Sequence, residues 1–458
     1  MTLVNSPSPT PADLRSGRGR TRALIGISLG YFMVLLDMTV LSVAEPNLAS
    51  SLRTSMAGLQ WAVTGYTVAF AALLLSAGAA ADRFGAERLF RAGVAVFALA
   101  SLLSAAAGDL WLLIALRAVS GVAAAACVPA SMAMIAALYP VPAARAQAVS
   151  AWAAISGAAV AAGPIAGGAL VDAAGWRAVF LVNVPIGLVA LGLTLGRAVA
   201  CPRGGGRIHW PAQLTAATVL ALFTDALIAA GARAWVHVAW ASVGFTVSAL
   251  GFWALERRSV APVLNRALLR SGRVRAGLLA AAVVNFALTG GLFVLPLLLQ
   301  RERHFGPLEA GLAFLPLTVP FAANPPLTGR MVARIGPRRP ILAGLALLAA
   351  GGAVLAVVVF AGGGYPWLAL GLLLTGFGVS YVLPALVAAI VSAAPAGTAG
   401  AVGGLLNAVR QVGATLGVAV MGGCAAAAGT GWSLLLSAGC CGLAWLVFAA
   451  TRPGGPVS

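Results

Sequence analysis

Long apolar segments alternate with short polar connections along almost the whole chain. An apolar run of about 20 residues matches the length of a helix that crosses the hydrocarbon core of a bilayer. The pattern therefore predicts an all-α integral membrane protein with 14 transmembrane helices. The predicted spans are 23–46, 58–81, 89–108, 110–139, 147–171, 178–199, 211–232, 235–255, 276–300, 309–332, 338–361, 366–392, 401–428 and 431–451.

One motif of glycine and arginine occurs twice, each time between two predicted spans. The pattern G-x4-R-x-G-x2-R-x4-G begins at Gly78 and again at Gly329. An internal repeat predicts two related halves around one cavity, as in many transporters. The predicted parts are a disordered cytoplasmic tail (1–22), an N-terminal six-helix half (23–200), two inserted transmembrane helices with cytoplasmic linkers (201–275) and a C-terminal six-helix half (276–458).

Composition and charge agree with a bilayer setting and predict the orientation of the chain. Hydrophobic residues make up 61% of the 458 residues and charged residues only 9%, too few polar residues to cover a water-soluble protein. All 29 basic residues are arginine, and most of them fall in the cytoplasmic segments if both termini are cytoplasmic. The positive-inside rule therefore predicts that both termini lie in the cytoplasm.

The same composition argues against several classes of function. The net charge of +18 is scattered over many short loops, so attraction to anionic membrane lipid explains it better than nucleic-acid binding. Without lysine the chain cannot contain the phosphate-binding loop G-x4-G-K-[ST], and the three histidines are too far apart in sequence to predict a metal site. We expect neither an enzyme nor a bound metal. Abundant alanine, glycine and arginine indicate a bacterial source.

The first copy of the repeated motif, GAAADRFGAERL (78–89), resembles the conserved loop between helices two and three of the major facilitator superfamily. Gly78 allows close helix packing, Gly85 allows the chain to reverse, and Asp82 can pair with Arg83 or Arg88. Such a cluster can act as a conformational latch between the two halves. The alternative is a basic loop that only sets topology.

The fifth span contains GAAVAAGPIAGGAL (157–170), which resembles the glycine-proline motif of proton-coupled exporters in the same superfamily. Pro164 removes one backbone donor and bends the helix, and small residues leave a groove for a neighbouring helix. A bend at a tightly packed interface is a candidate pivot. The residues of this candidate pivot are Gly157, Gly163, Pro164, Gly167 and Gly168.

Two further segments resemble the fourteen-span drug/proton antiporter branch: LLDMTVLSVAEP (35–46) and WRAVFLVNVPIG (176–187). The resemblance implies a monomer in the cytoplasmic membrane that exports an amphipathic drug, antibiotic or related metabolite. It also implies alternating access driven by proton entry, with the proton gradient as energy source and no cofactor. Proton-coupled or facilitative uptake, and a non-transporting receptor or scaffold, remain alternatives.

A carboxylate and an arginine are predicted to share one depth in the membrane. At about 1.5 Å rise per residue, Asp37 lies about 20 Å from the cytoplasmic start of its span, and Arg117 about 10 Å from the outer start of its own. Because burial disfavours an ionised carboxylate and a nearby arginine favours it, Asp37 can be poised to exchange a proton. The alternative is a static ion pair that fixes helix packing.

Other polar residues within the predicted spans are less sharply defined. Glu45 lies on roughly the same helical stripe as Asp37 and is either a second proton site or an interfacial carboxylate with access to water. Asp225, in the inserted pair, is either a helix-pair contact or a transport residue. Arg410, with Asn407 nearby on the thirteenth span, is a candidate for substrate binding or for a charge pair.

Overall fold

The computed structural model describes residues 11–195, 210–258, 272–392 and 399–451, and these residues form helices and turns without any strand. A π-helical turn, Leu298–Glu302, follows α10 directly. In chain order the helices are α1 Pro11–Ser51, α2 Met56–Phe84, α3 Ala86–Ala105, α4 Leu110–Leu138, α5 Pro142–Ala174, α6 Ala178–Leu181, α7 Asn183–Thr194, α8 Trp210–Gly231, α9 Trp235–Arg258, α10 Gly272–Leu297, α11 Pro307–Ala313, α12 Leu315–Ala323, α13 Pro325–Ile335, α14 Arg338–Phe360, α15 Tyr365–Ser392, α16 Ala399–Ala428 and α17 Thr430–Ala450.

Twelve helices in the described part of the chain are long and apolar enough to cross a membrane, so the protein is a multi-pass membrane protein. Two of the fourteen predicted spans are instead interrupted helices. The segment predicted at 178–199 is divided into α6 and α7, and the segment predicted at 309–332 into α11, α12 and α13. Prolines explain these interruptions because each removes a backbone donor; they include Pro185, Pro316 and Pro325.

The N-terminal segment differs from the expected disordered tail. Helix α1 begins at Pro11, so residues 11–22 are helical, while residues 1–10 lie outside the described residues. Proline suits the first helical position because its fixed φ is preorganised and its missing N–H has no intrahelical partner there. The predicted linkers at 201–209 and 259–271 also lie outside the described residues.

Helix packing repeats along the chain. In a first set, α1 to α7, helix α1 packs on α5 and α7, and α3 packs on α4 and α7. In a second set, α10 to α17, helix α10 packs on α16 and α17, and α14 packs on α15 and α17. The repeated motif sits at equivalent turns: Gly85 and Gly336 adopt φ of 92° and 75°, and each donates its N–H to a carbonyl four residues earlier. A left-handed φ favours glycine at both positions.

Helices α8 and α9 pack on each other at the side of this bundle. Helix α8 also contacts α2 and α16, whereas most side chains of α9 are exposed. The exposed side chains of α9 are largely apolar, and they include Trp240 and Val247. An apolar surface of this extent fits contact with lipid rather than with water.

The two sets meet at one end of the bundle. The repeat end is the end that carries Gly85 and Gly336, and the opposite end carries the turn between α1 and α2. Toward the opposite end, Gln60 of α2 donates to the carbonyls of Val418 and Ala419 on α16, both at 2.9 Å. At the repeat end, a side chain added at Gly78 or Gly329 would meet nothing within 4 Å. The two sets are therefore joined toward the opposite end, while Gly78 and Gly329 at the repeat end lie beside open space.

Candidate functional site

The structure brings Asp37 and Arg117 together in the middle of the first set. Their side chains are 1% and 2% exposed, and the guanidinium Nη1 of Arg117 donates to Oδ2 of Asp37. The other carboxylate oxygen, Oδ1, accepts a hydrogen bond of 2.9 Å from Nδ2 of Asn183 on α7. One carboxylate therefore holds α1, α4 and α7 together through two charge-assisted hydrogen bonds.

The guanidinium of Arg117 is enclosed by aromatic rings and a backbone carbonyl. Its carbon Cζ lies 4.6 Å from the ring centroid of Tyr66 and 6.0 Å from that of Phe180. Its Nε donates to the carbonyl of Ala62 at 3.3 Å. The hydroxyl of Tyr66 is buried and has no hydrogen-bond partner among the described residues. Apart from these weak contacts, Asp37 is the counterion that compensates the buried positive charge.

Asn183 and Tyr66 belong to the site, although the sequence pattern predicts no role for either residue. Asn183 also lies 3.4 Å from the hydroxyl of Ser101, so it links the carboxylate to α3. An isolated amide within an apolar segment is a signal that could have identified Asn183, because such groups require partners inside a membrane. The sequence carried no comparable signal for Tyr66, because the rotation of α2 decides which ring faces Arg117.

Glu45 lies on α1 near the opposite end and is deeply buried. Its side chain is 2% exposed, so in this structure Glu45 lacks the access to water that the alternative of an interfacial carboxylate requires. Oxygen Oε2 has no hydrogen-bond partner, and Glu45 forms no ion pair with any described residue. Residues of the second set cover this end of α1: Gln300 donates to the carbonyl of Val43 at 2.8 Å.

The glycine-proline motif of α5 packs on two different neighbours. Gly163 and Gly167 face α1, where an added Cβ would lie 1.9 Å from Oγ1 of Thr39 and 2.5 Å from the carbonyl oxygen of Val40. Gly168 faces the second set instead: its added Cβ would lie 2.4 Å from the carbonyl oxygen of Pro307. Gly157 would meet nothing within 4 Å.

We call the contact between α5 and α11 the α5–α11 seam. From the side of α11, a Cβ added at Gly311 would lie 2.3 Å from the carbonyl oxygen of Pro164. Oδ2 of Asp172 accepts a hydrogen bond of 3.1 Å from the backbone N–H of Leu308. The seam thus joins the two sets at the opposite end through backbone-to-backbone contact that only glycine permits at two positions.

The charged residues of the candidate latch form no ion pair with any described residue of the second set. Asp82, Arg83 and Arg88 are exposed, and Asp82 forms no ion pair with a described residue. Arg83 lies with its Cζ 5.6 Å from the ring centroid of its neighbour Phe84. Gly85 is both the C-cap of α2 and the N-cap of α3. The ion pair of Asp82 with Arg83 or Arg88 that the sequence predicted is not formed in this structure.

The remaining candidates fall at two separate places. Oδ2 of Asp225 lies 2.7 Å from Nε2 of His237, which pairs α8 with α9 at a position where the histidine side chain is 59% exposed. Arg410 lies on α16, where its Nη1 donates to Oδ1 of Asn407 at 3.2 Å. The structure does not bring Asp225 or Arg410 into contact with Asp37.

Sequence comparisons agree on one family. The profile described as Major Facilitator Superfamily matches residues 27–418 and, in a second alignment, residues 277–457. The Tetracenomycin C resistance and export protein of Streptomyces glaucescens is 33% identical, over 90% of this chain and 77% of that protein. The Methylenomycin A resistance protein of Bacillus subtilis is 34% identical, over 93% and 94% of the two chains.

Solved structures share the fold at low sequence identity. A bacterial homolog of the human lysosomal transporter Spinster, solved in an inward-facing and unoccupied conformation, gives a TM-score of 0.69 at 19% identity, covering 94% of this chain and 96% of that chain. The xylose transporter XylE from E. coli, in a partially occluded inward open conformation, gives 0.68 at 14% identity, covering 96% and 100%. These structures share the fold, and the family profile and the curated relatives establish that the chain belongs to the Major Facilitator Superfamily.

Proposed function

We propose that the protein is a proton-coupled antiporter that exports an amphipathic drug, antibiotic or related metabolite across the cytoplasmic membrane by alternating access. The observation that carries the proposal is the buried pair of Asp37 and Arg117 among apolar helices. An ionised carboxylate in a membrane costs roughly 2.5–3.5 kcal/mol on insertion scales, so its retention points to function. Relatives named for antibiotic resistance and export support the direction of transport.

Protonation of Asp37 is the coupling step in this proposal. A neutral Asp37 no longer balances the charge of Arg117, so the pair weakens and α1 and α4 become free to shift relative to each other. One proton that crosses the membrane supplies about 2.3 kcal/mol per 100 mV of potential. That energy is comparable to the differential free energies that bias a two-state transporter.

Glu45 serves as a second proton site at the opposite end. It is buried without a cation while the two sets are joined there, so closure requires the neutral carboxyl group. When the sets separate at that end, water reaches Glu45 and it can ionise. A proton taken up from outside therefore precedes closure of the opposite end.

The proposed topology has fourteen transmembrane segments, with the interrupted segments α6–α7 and α11–α13 counted as spans. The helices are divided into a six-helix half at 23–200, an inserted pair within 201–275 and a second six-helix half at 276–458. The recurring helix pairs support this division. Both termini and the repeat end face the cytoplasm, and the protein acts as a monomer in contact with lipid, with the proton gradient as its energy source and without a cofactor.

Transport in inverted membrane vesicles tests the coupling. Asp37→Asn should abolish proton-driven substrate accumulation while substrate exchange without a gradient persists. Asp225→Asn is the matched control, since it removes another carboxylate within a membrane helix that does not touch Arg117. Undiminished proton-driven accumulation by Asp37→Asn, at equal expression, would favour a static ion pair and refute the proposal.

A further inference from the structure

Asn183 lies where α7 packs against both α1 and α3. It is the first residue of α7, and its side chain is 0% exposed. One turn further along α7, a Cβ added at Gly187 would lie 2.9 Å from Cβ of Ala98 and 3.4 Å from Sδ of Met33. Because the three helices are packed this closely, a change of charge beside Asn183 is met by rotation of its side chain rather than by movement of its backbone.

One end of the Asn183 amide contacts two polar neighbours. Nδ2 donates to Oδ1 of Asp37 at 2.9 Å and to Oγ of Ser101 at 3.4 Å. The other end of the amide, Oδ1 of Asn183, is buried and has no hydrogen-bond partner among the described residues. An amide NH2 group has two donors. The arrangement therefore fits an ionised Asp37, with one N–H for the carboxylate and one for the hydroxyl.

The two carboxylate oxygens of Asp37 differ in what their neighbours can do. Oδ2 accepts from Arg117 of α4, and a guanidinium has donors but no acceptor. The phenol ring of Tyr66, from α2, covers that guanidinium at 4.6 Å. In the described part of the chain, no titratable side chain of α3, α5, α7 or α10 hydrogen-bonds to Asp37. A proton on Oδ2 would meet only N–H donors, whereas a proton on Oδ1 faces an amide, which also carries an acceptor.

The Asn183 amide can serve a protonated Asp37 by turning over. Its oxygen and its NH2 group are nearly equal in shape, so half a turn of the side-chain amide exchanges them without new packing. The oxygen then accepts from the O–H of Asp37 and from the hydroxyl of Ser101, whose hydrogen can rotate to donate. At the other end no hydrogen bond has to break, because Oδ1 of Asn183 has no partner there.

We infer that Oδ1 of Asp37 is the atom that binds the proton, and that the Asn183 amide turns over each time the proton binds or leaves. The inference rests on the proposed proton exchange at Asp37 and names its atom and its partner. In that cycle the proton comes from water and adds to the carboxylate to form an O–H, and no other covalent bond changes. Asn183 is then a positioning residue that offers Asp37 a hydrogen bond in both protonation states.

Infrared difference spectra between low and high pH test the inference on the purified full-length protein in lipid nanodiscs, without any substrate. Asparagine labelled with a heavy carbon isotope at the side-chain carbonyl identifies the amide bands. On protonation the C=O of Asn183 changes from unpaired to accepting two hydrogen bonds, so its stretch should move to lower wavenumber. The carboxyl band of Asp37 should appear over the same pH range. Asp37→Asn identifies that band by removing it, and Glu45→Gln should leave it in place.

Matched variants separate the amide from general damage to the site. Asn183→Leu should remove the shifting amide band. Ser101→Ala should make the shift smaller, because one of the two donors to the amide oxygen is lost. Asn285→Leu is the control, since it removes another buried asparagine, which donates to the carbonyl of Ala281 on its own helix, and it should leave the shift unchanged. The labelled wild-type protein and Ser101→Ala decide the question even if Asn183→Leu does not fold.

The outcomes distinguish this inference from the export proposal. A titrating carboxyl band of Asp37 without a shift of an asparagine band would overturn the inference and leave proton coupling at Asp37 standing. A shift that persists in folded Asn183→Leu protein, or that is unchanged in Ser101→Ala, would also overturn it. Absence of a titrating Asp37 band would overturn both the inference and the coupling step of the proposed function.

Discussion

Substitution of one glycine in the α5–α11 seam should shift the protein away from its present conformation. A Cβ at Gly168 would lie 2.4 Å from the carbonyl oxygen of Pro307 and 2.7 Å from Cα of Leu308. Favourable contact begins near 3.5 Å, so in Gly168→Ala the two helices would have to separate by about 1 Å. Overpacking of this kind costs about 1–3 kcal/mol. Because the cost arises only where the opposite end is closed, the equilibrium between conformations should move by roughly 5- to 150-fold.

Spin-label distances across the repeat end would measure this shift. Ala146 on α5 and Ala333 on α13 are both exposed, and the native cysteines would first be replaced. In Gly168→Ala the population with the repeat end closed, and therefore with the shorter distance, should rise. Gly311→Ala should act in the same direction from the other side of the seam, where a Cβ would lie 2.3 Å from the carbonyl oxygen of Pro164.

The same helix offers a matched control. A Cβ at Gly157 meets nothing within 4 Å, so Gly157→Ala should leave the distance distribution unchanged. Gly163 contacts Thr39 within the first set, so an added methyl group there would separate α1 from α5 in every conformation. Gly163→Ala should therefore lower thermal stability rather than shift the conformation. If folded Gly168→Ala protein shows the wild-type distance distribution, the seam does not govern closure and the reasoning is refuted.

Three other predictions concern ionisable residues. Asp37→Asn leaves Arg117 buried without a counterion and should lower the free energy of unfolding by about 3–5 kcal/mol. The double variant Asp37→Asn/Arg117→Gln should recover part of this loss. Thermal unfolding of the purified proteins would measure both effects. In wild-type protein, higher pH at the opposite end should favour the open state there, because ionised Glu45 resists burial; Glu45→Gln should abolish that dependence of the spin-label distance on pH. His237→Gln should change stability by at most about 1 kcal/mol and leave efflux intact, since the pair with Asp225 is partly exposed.

Periodic and repeated features of the fold could be predicted from the sequence. Long apolar runs located the helices, and the repeated motif predicted equivalent turns, which the structure has at Gly85 and Gly336. The interruptions within the segments at 178–194 and 307–335 were not predicted. A proline permits either a kink or a break, and α5 passes through Pro164 without a break, whereas Pro325 begins a new helix. Packing by neighbouring helices decides between a kink and a break, and the sequence around the proline does not show that packing.

The part of the candidate site that could be predicted is the pair of Asp37 and Arg117, because depth in the membrane was enough to bring them together. Asp37 and Arg117 were placed at a common level by residue rise alone, and the ion pair shows that they also face each other. The burial of Glu45 could not be predicted from its position along α1. It depends on the segment around Gln300, which is distant in sequence. To assign Asn183 and Tyr66 to the site, one must know how their helices are rotated about their axes. A helix that is apolar on several sides has no polar face from which this rotation can be predicted.

A continuous set of contacts connects the proton site with the α5–α11 seam. Thr39 is two residues from Asp37, and its hydroxyl oxygen lies against Gly163 of α5. One turn further along α5, Gly168 meets the second set, and Pro164 meets Gly311. A shift of α1 that follows protonation of Asp37 cannot leave α5 in place, because the glycine contacts allow no slack between the two backbones. Under the proposed coupling, proton exchange at Asp37 would act on closure of the opposite end through the rigid packing of α1 on α5. In a double-mutant cycle, the shift in the conformational equilibrium of Asp37→Asn/Gly168→Ala should differ from the sum of the shifts of the two single variants. If the two shifts add, Asp37 and the α5–α11 seam are not coupled through these contacts.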